Sequence, residues 1–317
     1  VDEIAVATVF TTRSSSHSLA AIAAFIADAA APTIDALDFA VGNAYFRLYR
    51  GSYTAPNFQQ GDVPYNVGET GFIEFDEAGL PLVARQESMR VSVTVPTGAM
   101  PPDGWPIILY AHGTSGDVES FVTERLALRY AVLGFAMISI DQVLHGPRNP
   151  GGDPQIAFFN YFNPYAARDN VLQGSADLLS LRRLVDTIDF VETDADPARP
   201  CKFDPSRVFF IGHSQGALTG TPFLAHETRL AGAILSGGGG LFYISATKKI
   251  EPLDIPGLIA GALGETVVDE FHPVLALAQT WIDPADPVNY GARLTASSSG
   301  RPPYPIFMIE GIGDSYP

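Results

Sequence analysis

The chain is poor in cysteine, in lysine and in positive charge altogether. Its 317 residues hold one cysteine, Cys201. A single thiol makes no disulfide framework and no cysteine-based zinc site within the chain; in a secreted protein it would suggest a partner cysteine elsewhere. The only lysines are Lys202, Lys248 and Lys249, and 19 basic side chains face 35 acidic ones, for a net charge of −16. A surface this negative repels phosphate and no basic stripe offsets it, so no nucleic-acid partner is expected. Long hydrophobic runs are missing as well. A membrane span needs about 18 consecutive apolar residues. The best stretch, Leu19 to Ala31, is shorter and carries Asp28, so it reads as an ordinary helix entered from the Ser14–Ser16 cluster. No transmembrane segment is expected. Val1-Asp2-Glu3 is acidic where a secretory leader needs basic residues, so no signal peptide is read there. Asp194 and Asp196 form a D-x-D, but the rest of a calcium loop is absent, and a solvated loop is expected. Charged residues make up only 17% and apolar ones 46%, which excludes a disordered chain. Negative charge with almost no cysteine fits a periplasmic or extracellular protein.

What is present is an alternation of β-rich runs and helical stretches. Ala44 to Tyr53 and Ser88 to Val95 alternate polar with apolar, as half-buried antiparallel strands do. A Gly/Pro/Asn-rich loop, Ala55 to Gly71, lies between them. Pro106 to Ala111, Phe135 to Ile140, Val208 to Ile211, Ala233 to Leu235 and Ile306 to Ile309 are continuously apolar. Such runs suit strands covered on both faces, as in a parallel sheet flanked by helices. Helices are predicted over Glu119 to Leu133 and Asn170 to Glu192. The order predicts an α/β doubly wound, mostly parallel central sheet. Residues 241–300 exceed what a crossover needs, with helical pattern around Ile255–Leu263 and Pro273–Trp281. They read as a helical insertion over one end of the sheet, either peripheral packing or a lid. Residues 1–84 read as an N-terminal extension with the first strands, and 85–317 as the core.

Val208-Phe209-Phe210-Ile211 runs straight into Gly212-His213-Ser214-Gln215-Gly216. The G-x-S-x-G spacing is weak alone, but here a strand precedes it and a helix start follows it. A serine on such a turn sits in strained backbone with its hydroxyl raised, and Gly212 and Gly216 permit the tight turn and close helix–strand packing. The Gln215 amide, at a helix N-terminus, then faces a developing negative charge.

On these residues, on His112-Gly113 and on Asp314, the chain resembles the α/β-hydrolase superfamily, most of all bacterial secreted esterases and lipases. The resemblance covers about residue 85 to the end. It implies an α/β-hydrolase fold with a lid-like insertion and no metal or organic cofactor. It places a second oxyanion amide just after His112-Gly113, on Thr114, paired with that of Gln215. It places the triad acid in Gly311-Ile312-Gly313-Asp314, on Asp314, where a carboxylate would orient the histidine. His112 and His213 would line the site, and Asp141 and His145 would stabilise loops.

The expected order is Ser, Asp, then His. The histidines are His17, His112, His145, His213, His226 and His272, and none follows Asp314. The His-bearing C-terminal part of the fold is therefore expected to be absent from this chain. Three readings stay open: the base arrives on a second polypeptide of a cleaved or split enzyme, the stretch belongs to a longer protein, or His272 serves from the insertion. The function expected is a serine hydrolase cleaving carboxylic esters with an apolar portion, suggested by Leu241, Phe242, Leu258, Ile259, Leu263 and Trp281. Thioester, amide or polyester cleavage would use the same site. A hydrolase-like scaffold that binds without catalysis is the alternative from another class.

Overall fold

The computed structural model of the chain describes residues 14–195, 197–251, 253–295 and 305–312. After α1 (His17–Asp28), three antiparallel strands follow: β1 (Ile34–Gly42), β2 (Phe46–Asn57) and β3 (Arg85–Pro96). Then come β4 (Trp105–Ala111), α2 (Ser120–Thr123), α3 (Leu126–Val132), β5 (Ala136–Ile140), α4 (Pro154–Phe159) and α5 (Pro164–Val185). The short β6 (Asp189–Glu192), the long β7 (Arg199–His213), α6 (Gln215–His226) and β8 (Gly232–Ser236) complete the centre. Four helices, α7 (Phe242–Lys248), α8 (Ile255–Leu263), α9 (Pro273–Ile282) and α10 (Gly291–Thr295), precede β9 (Ile306–Ile309).

The sheet runs β1-β2-β3-β5-β4-β7-β8-β9, antiparallel as far as the β3–β5 pair and parallel from β5 onward. β6 pairs only with the first half of β7. Strand alternation divides the core. Ile107, Leu109 and Ala111 of β4 join the larger apolar cluster, with α1 and α5, while Ile108 and Tyr110 point to the opposite face, against Phe121, Ala127 and Ala131. Because both faces of the central strands are covered, their sequences read as unbroken apolar runs. Leu19, Ile22 and Ile26, at helical spacing, seat α1 in the larger cluster. No helix of the described residues is long and apolar enough to cross a membrane.

The strands expected from the sequence are present, some longer than their apolar runs. Three expectations change. The helix over Glu119–Leu133 is two pieces, because Arg125 takes a left-handed φ of 65° between α2 and α3. The helix over Asn170–Glu192 begins six residues earlier, at Pro164, where the Asn163 carboxamide oxygen accepts the N–H groups of Tyr165 and Ala166. Its last residues, Asp189–Glu192, form β6 instead. β1, unforeseen, adds an outer strand to β2, so the N-terminal segment continues the central sheet.

The insertion is helical, as expected, with a small core of its own around Ala246, Ile255, Ala260, Val268 and Leu275. Asp286 ties it together. One carboxylate oxygen accepts Leu241 N–H at 3.0 Å and Val288 N–H at 3.0 Å; the other accepts Phe242 N–H at 2.8 Å and the Gln279 amide at 2.8 Å.

Candidate active site

β4 and β7 are parallel neighbours with Ala111 opposite Gly212. From β4 the chain turns to β5 on one side, and from β7 to β8 on the other. The sheet order therefore reverses between them, and a crevice opens beyond their carboxyl ends. Two loops leave into it side by side, the turn at Ser214 and the segment His112–Ser115.

Ser214 joins β7 to α6 with φ 51° and ψ −115°. Such backbone costs about 1–3 kcal/mol in a residue with a side chain and persists only where the surroundings enforce it. They do so here. Ser214 N–H donates to Ser236 O at 2.7 Å, and Ser214 O accepts Ala217 N–H at 2.8 Å and Leu218 N–H at 3.0 Å. A Cβ on Gly216 would lie 2.0 Å from the Ala111 carbonyl oxygen, and one on Gly212 would lie 2.4 Å from that of Gly216. The two glycines let α6 press onto β4 and β7 and fix the kink.

On the neighbouring loop, a Cβ on Gly113 would come 3.1 Å from His213 Cδ2 and 3.3 Å from Ser214 Cβ, so a side chain there would crowd the serine. Thr114 Oγ1 donates to Gln215 Oε1 at 3.0 Å, tying the two loops together. Among the described residues, neither the Thr114 nor the Gln215 backbone N–H has an assigned hydrogen-bond partner. Gln215 is the first residue of α6, where helical N–H groups are left open by geometry. Ser115, at φ 67°, turns its N–H away, to His145 Nε2 at 3.0 Å.

Both loop histidines are fully used. His145 Nδ1–H donates to Val143 O at 2.9 Å while its Nε2 takes Ser115 N–H. His112 Nδ1–H donates to Gly113 O at 2.8 Å, and its Nε2 accepts Gln142 N–H at 3.1 Å. The Gln142 carboxamide bonds back to His112 O. Asp141 accepts Val118 N–H at 3.1 Å and a two-pronged contact from Arg90 at 2.7 and 2.9 Å. These groups hold the loops. His213 lines the cavity, with Nδ1 3.3 Å from Ser236 Oγ. His272 caps α9: its Nδ1 accepts Val274 N–H at 3.2 Å and its Nε2 meets Glu265 at 3.2 Å, away from Ser214. All six histidines are among the described residues, and none is hydrogen-bonded to Ser214 Oγ. Asp314 and Asp196 lie outside the described residues.

Burial pushes His112 down to about 4 and lowers His145; burial, followed by the nearby Arg293, pushes His226 down to about 4. Unfolded histidines titrate near 6.5. Between about pH 6.5 and 4 the unfolded chain therefore binds more protons, and stability rises with pH across that window. Acidification through it removes about 3 kcal/mol for each of His112 and His226. The unfolding temperature is expected to fall steeply from pH 6.5 to 4, and to fall less in His226→Phe, whose ring cannot titrate. An unchanged slope in that variant would remove His226 from the account.

The loops floor a cavity of about 500 Å³, roofed by the insertion and lined by Phe159, Tyr161, Phe242 and Ile255 among others. Of the apolar insertion residues singled out in the sequence, Phe242 reaches it, while Leu258 and Trp281 are surface-exposed. Phe159 and Tyr161 were missed; they stack at 5.9 Å in the aromatic run Phe158-Phe159-Asn160-Tyr161-Phe162, a cluster whose density was a usable signal. Among the described residues no group of three or more His, Cys, Asp or Glu is placed to hold a metal.

No protein-family model matches the chain, and no curated protein matches it in sequence. Solved structures do match in shape. An acetyl xylan esterase from Paenibacillus sp. R4 superposes with a TM-score of 0.56 at 13% identity, over 98% of this chain and 92% of that one. Acetyl xylan esterase 1 from Thermoanaerobacterium sp. JW/SL YS485 gives 0.55 at 14% identity, over 88% and 74%. At such identities the likeness concerns the fold. A mostly parallel sheet reversing between β4 and β7, a strained serine turn at that reversal and a helical roof above it agree with that likeness: the chain has the α/β-hydrolase fold.

Proposed function

We propose that the protein is a serine hydrolase cleaving carboxylic esters, with Ser214 as nucleophile and the Thr114 and Gln215 amides as oxyanion donors. The observation that carries this reading is the Ser214 backbone, held at φ 51° and ψ −115° on the floor of an apolar cavity. Attack on an ester carbonyl would place negative charge that the Thr114 and Gln215 amides are proposed to receive, and one such donor is worth about 3 kcal/mol of barrier. Water then releases the acyl group. Asp314 is the proposed acid. The histidine base comes from polypeptide outside the described residues, on a second chain or a further segment. Two features support that origin. No ring nitrogen reaches Ser214, and the sheet face of β7, β8 and β9 opposite α6 leaves an apolar groove of about 370 Å³ beside the exposed Phe307. Residues 241–300 act as the lid, the apolar portion of the substrate lies beneath it, and the acidic, cysteine-poor surface suits a secreted enzyme.

The test is a fluorophosphonate probe on the native protein with any polypeptide that co-purifies. The expected result is a single adduct on Ser214. The second reading, a scaffold that binds without catalysis, is favoured by the missing ring nitrogen, and absence of any adduct would select it. Thioesters, amides and polyesters remain chemically open to the same site, and relative rates on matched substrates separate them.

A further inference from the structure

Resting on the ester-hydrolase reading, we propose that His145 is a positioning residue for the chemistry at Ser214: its Nε2 holds the turn that carries the Thr114 amide, and so keeps that amide opposite the one of Gln215. The turn needs holding. Gly113 O accepts Gly116 N–H at 3.0 Å, which closes a four-residue turn with Thr114 and Ser115 at its centre. Ser115 has φ 67° and Thr114 is not among the residues of positive φ, the pattern of a type II turn. Such a turn calls for glycine or asparagine where Ser115 stands. A Thr-Ser pair suits type I better, in which the peptide between the two central residues is reversed. The backbone therefore sits in its less favoured form, and the peptide joining Thr114 to Ser115 has to be fixed from outside. The N–H of that same peptide donates to His145 Nε2 at 3.0 Å.

His145 is built as an anchor. Its side chain is fully buried in the loop after β5. Its Nδ1–H donates to Val143 O at 2.9 Å, which leaves Nε2 as the acceptor. Its backbone N–H donates to Gln142 O at 3.0 Å and its carbonyl accepts Arg148 N–H at 3.1 Å. With every polar group of the residue engaged, the ring cannot follow the turn if the turn shifts. Burial lowers its pKa, so the imidazole stays neutral near pH 7 and keeps the lone pair that Ser115 N–H uses. His112 meets it edge to face at 5.1 Å, and a Cβ on Gly116 would come 2.8 Å from His112 Nδ1, so the turn rests on both rings. The other central residue is tied separately, by Thr114 Oγ1–H to Gln215 Oε1 at 3.0 Å. One hold on each central residue fixes the Thr114 amide, and a misplacement of about 1 Å in a reacting site can cost about 100-fold in rate.

Two variants separate the two bonds of the ring. In His145→Gln the carboxamide oxygen replaces Nε2 and still accepts Ser115 N–H. In His145→Asn the carboxamide N–H replaces Nδ1–H, keeps Val143 O satisfied and leaves Ser115 N–H without its acceptor. Both are measured as the native protein with any polypeptide that co-purifies. His145→Asn is expected to lower kcat toward short 4-nitrophenyl esters by about tenfold or more, with KM within about threefold of the parent. His145→Gln should stay within about threefold in both. A residue that only stabilised its own loop would give the reverse order, since asparagine keeps the bond inside that loop. An equal effect in the two variants, a larger loss in His145→Gln, or a loss confined to KM overturns the proposal. Should either variant fail to fold, nitrogen NMR of the parent decides. His145 as the Nδ1–H tautomer beside a slowly exchanging Ser115 amide supports the proposal; an Nε2–H ring or a freely exchanging Ser115 amide overturns it. If the parent is active and the two variants match, the role of His145 falls alone. If the parent turns over no ester and forms no fluorophosphonate adduct, the hydrolase reading beneath it falls, and this inference with it.

Discussion

With the histidine base present, Ser214→Ala is expected to lose about 10⁶ in kcat toward short 4-nitrophenyl esters while leaving the fold intact. The size follows from the division of labour at the turn. On the proposed reading the hydroxyl would supply the nucleophile and, once acylated, the covalent intermediate that splits one hard step into two easier ones. The Thr114 and Gln215 amides survive the substitution, so a residual rate from oxyanion stabilisation alone is expected above that of water. Stability should barely move. The backbone is held by Ser236 O, Ala217 N–H, Leu218 N–H and the close approach of Gly216 to Ala111, none of which involves Oγ. The measurement is steady-state hydrolysis beside thermal unfolding of both proteins. Full activity in the variant would remove Ser214 from the chemistry. Loss of activity together with a large fall in unfolding temperature would mean that the hydroxyl holds the turn and that its role is structural.

The serine turn was legible because its constraints are steric and local. Gly212 and Gly216 are glycines for reasons that two backbone contacts state outright, and the apolar run before them can only be a covered strand. Strands β4, β5 and β8 were legible for the same reason, burial on both faces; β9 was legible from its apolar run although most of its side chains are exposed. The break at Arg125 was not, because a left-handed arginine leaves no compositional mark. Nor was β6, whose Asp-Phe-Val-Glu pattern continues the helical spacing of α5 and becomes a strand only because β7 offers it an edge. In the site, Thr114 and Gln215 are adjacent because β4 and β7 are in register, which no spacing in the chain reveals. The pairing of His145 with Ser115 N–H is likewise a tertiary fact. His145 reads as a loop residue in the sequence, and the structure gives it a specific partner.

That partner leads to Arg148, which nothing in the sequence singled out. Its guanidinium is buried and donates to Asp177 at 2.8 Å, to the Asp141 carbonyl at 3.0 Å and to both oxygens of Glu87 at 3.1 Å. It thereby pins the loop after β5, which carries Asp141, Gln142 and His145, to α5 and β3. Gln142 and His145 in turn receive or hold the His112–Ser115 segment. Removing one partner of a buried ionic group costs about 3–5 kcal/mol, because the remaining charges stay desolvated without a counter-ion. Arg148→Ala is therefore expected to lower the unfolding temperature by roughly 5–15 °C in a chain of this length. The defect should also depend on pH. Burial already pushes Asp177 up to about 6 with Arg148 in place, and without it the carboxyl rises further. In the unfolded chain it titrates near 3.9. Across neutral pH the folded variant then binds a proton that the unfolded chain does not, so its stability falls as pH rises. The gap between Arg148→Ala and the parent should be wider at pH 8 than at pH 5, as read by denaturant unfolding at both. A gap that is equal at the two values would show that Asp177 is not what the missing cation leaves exposed.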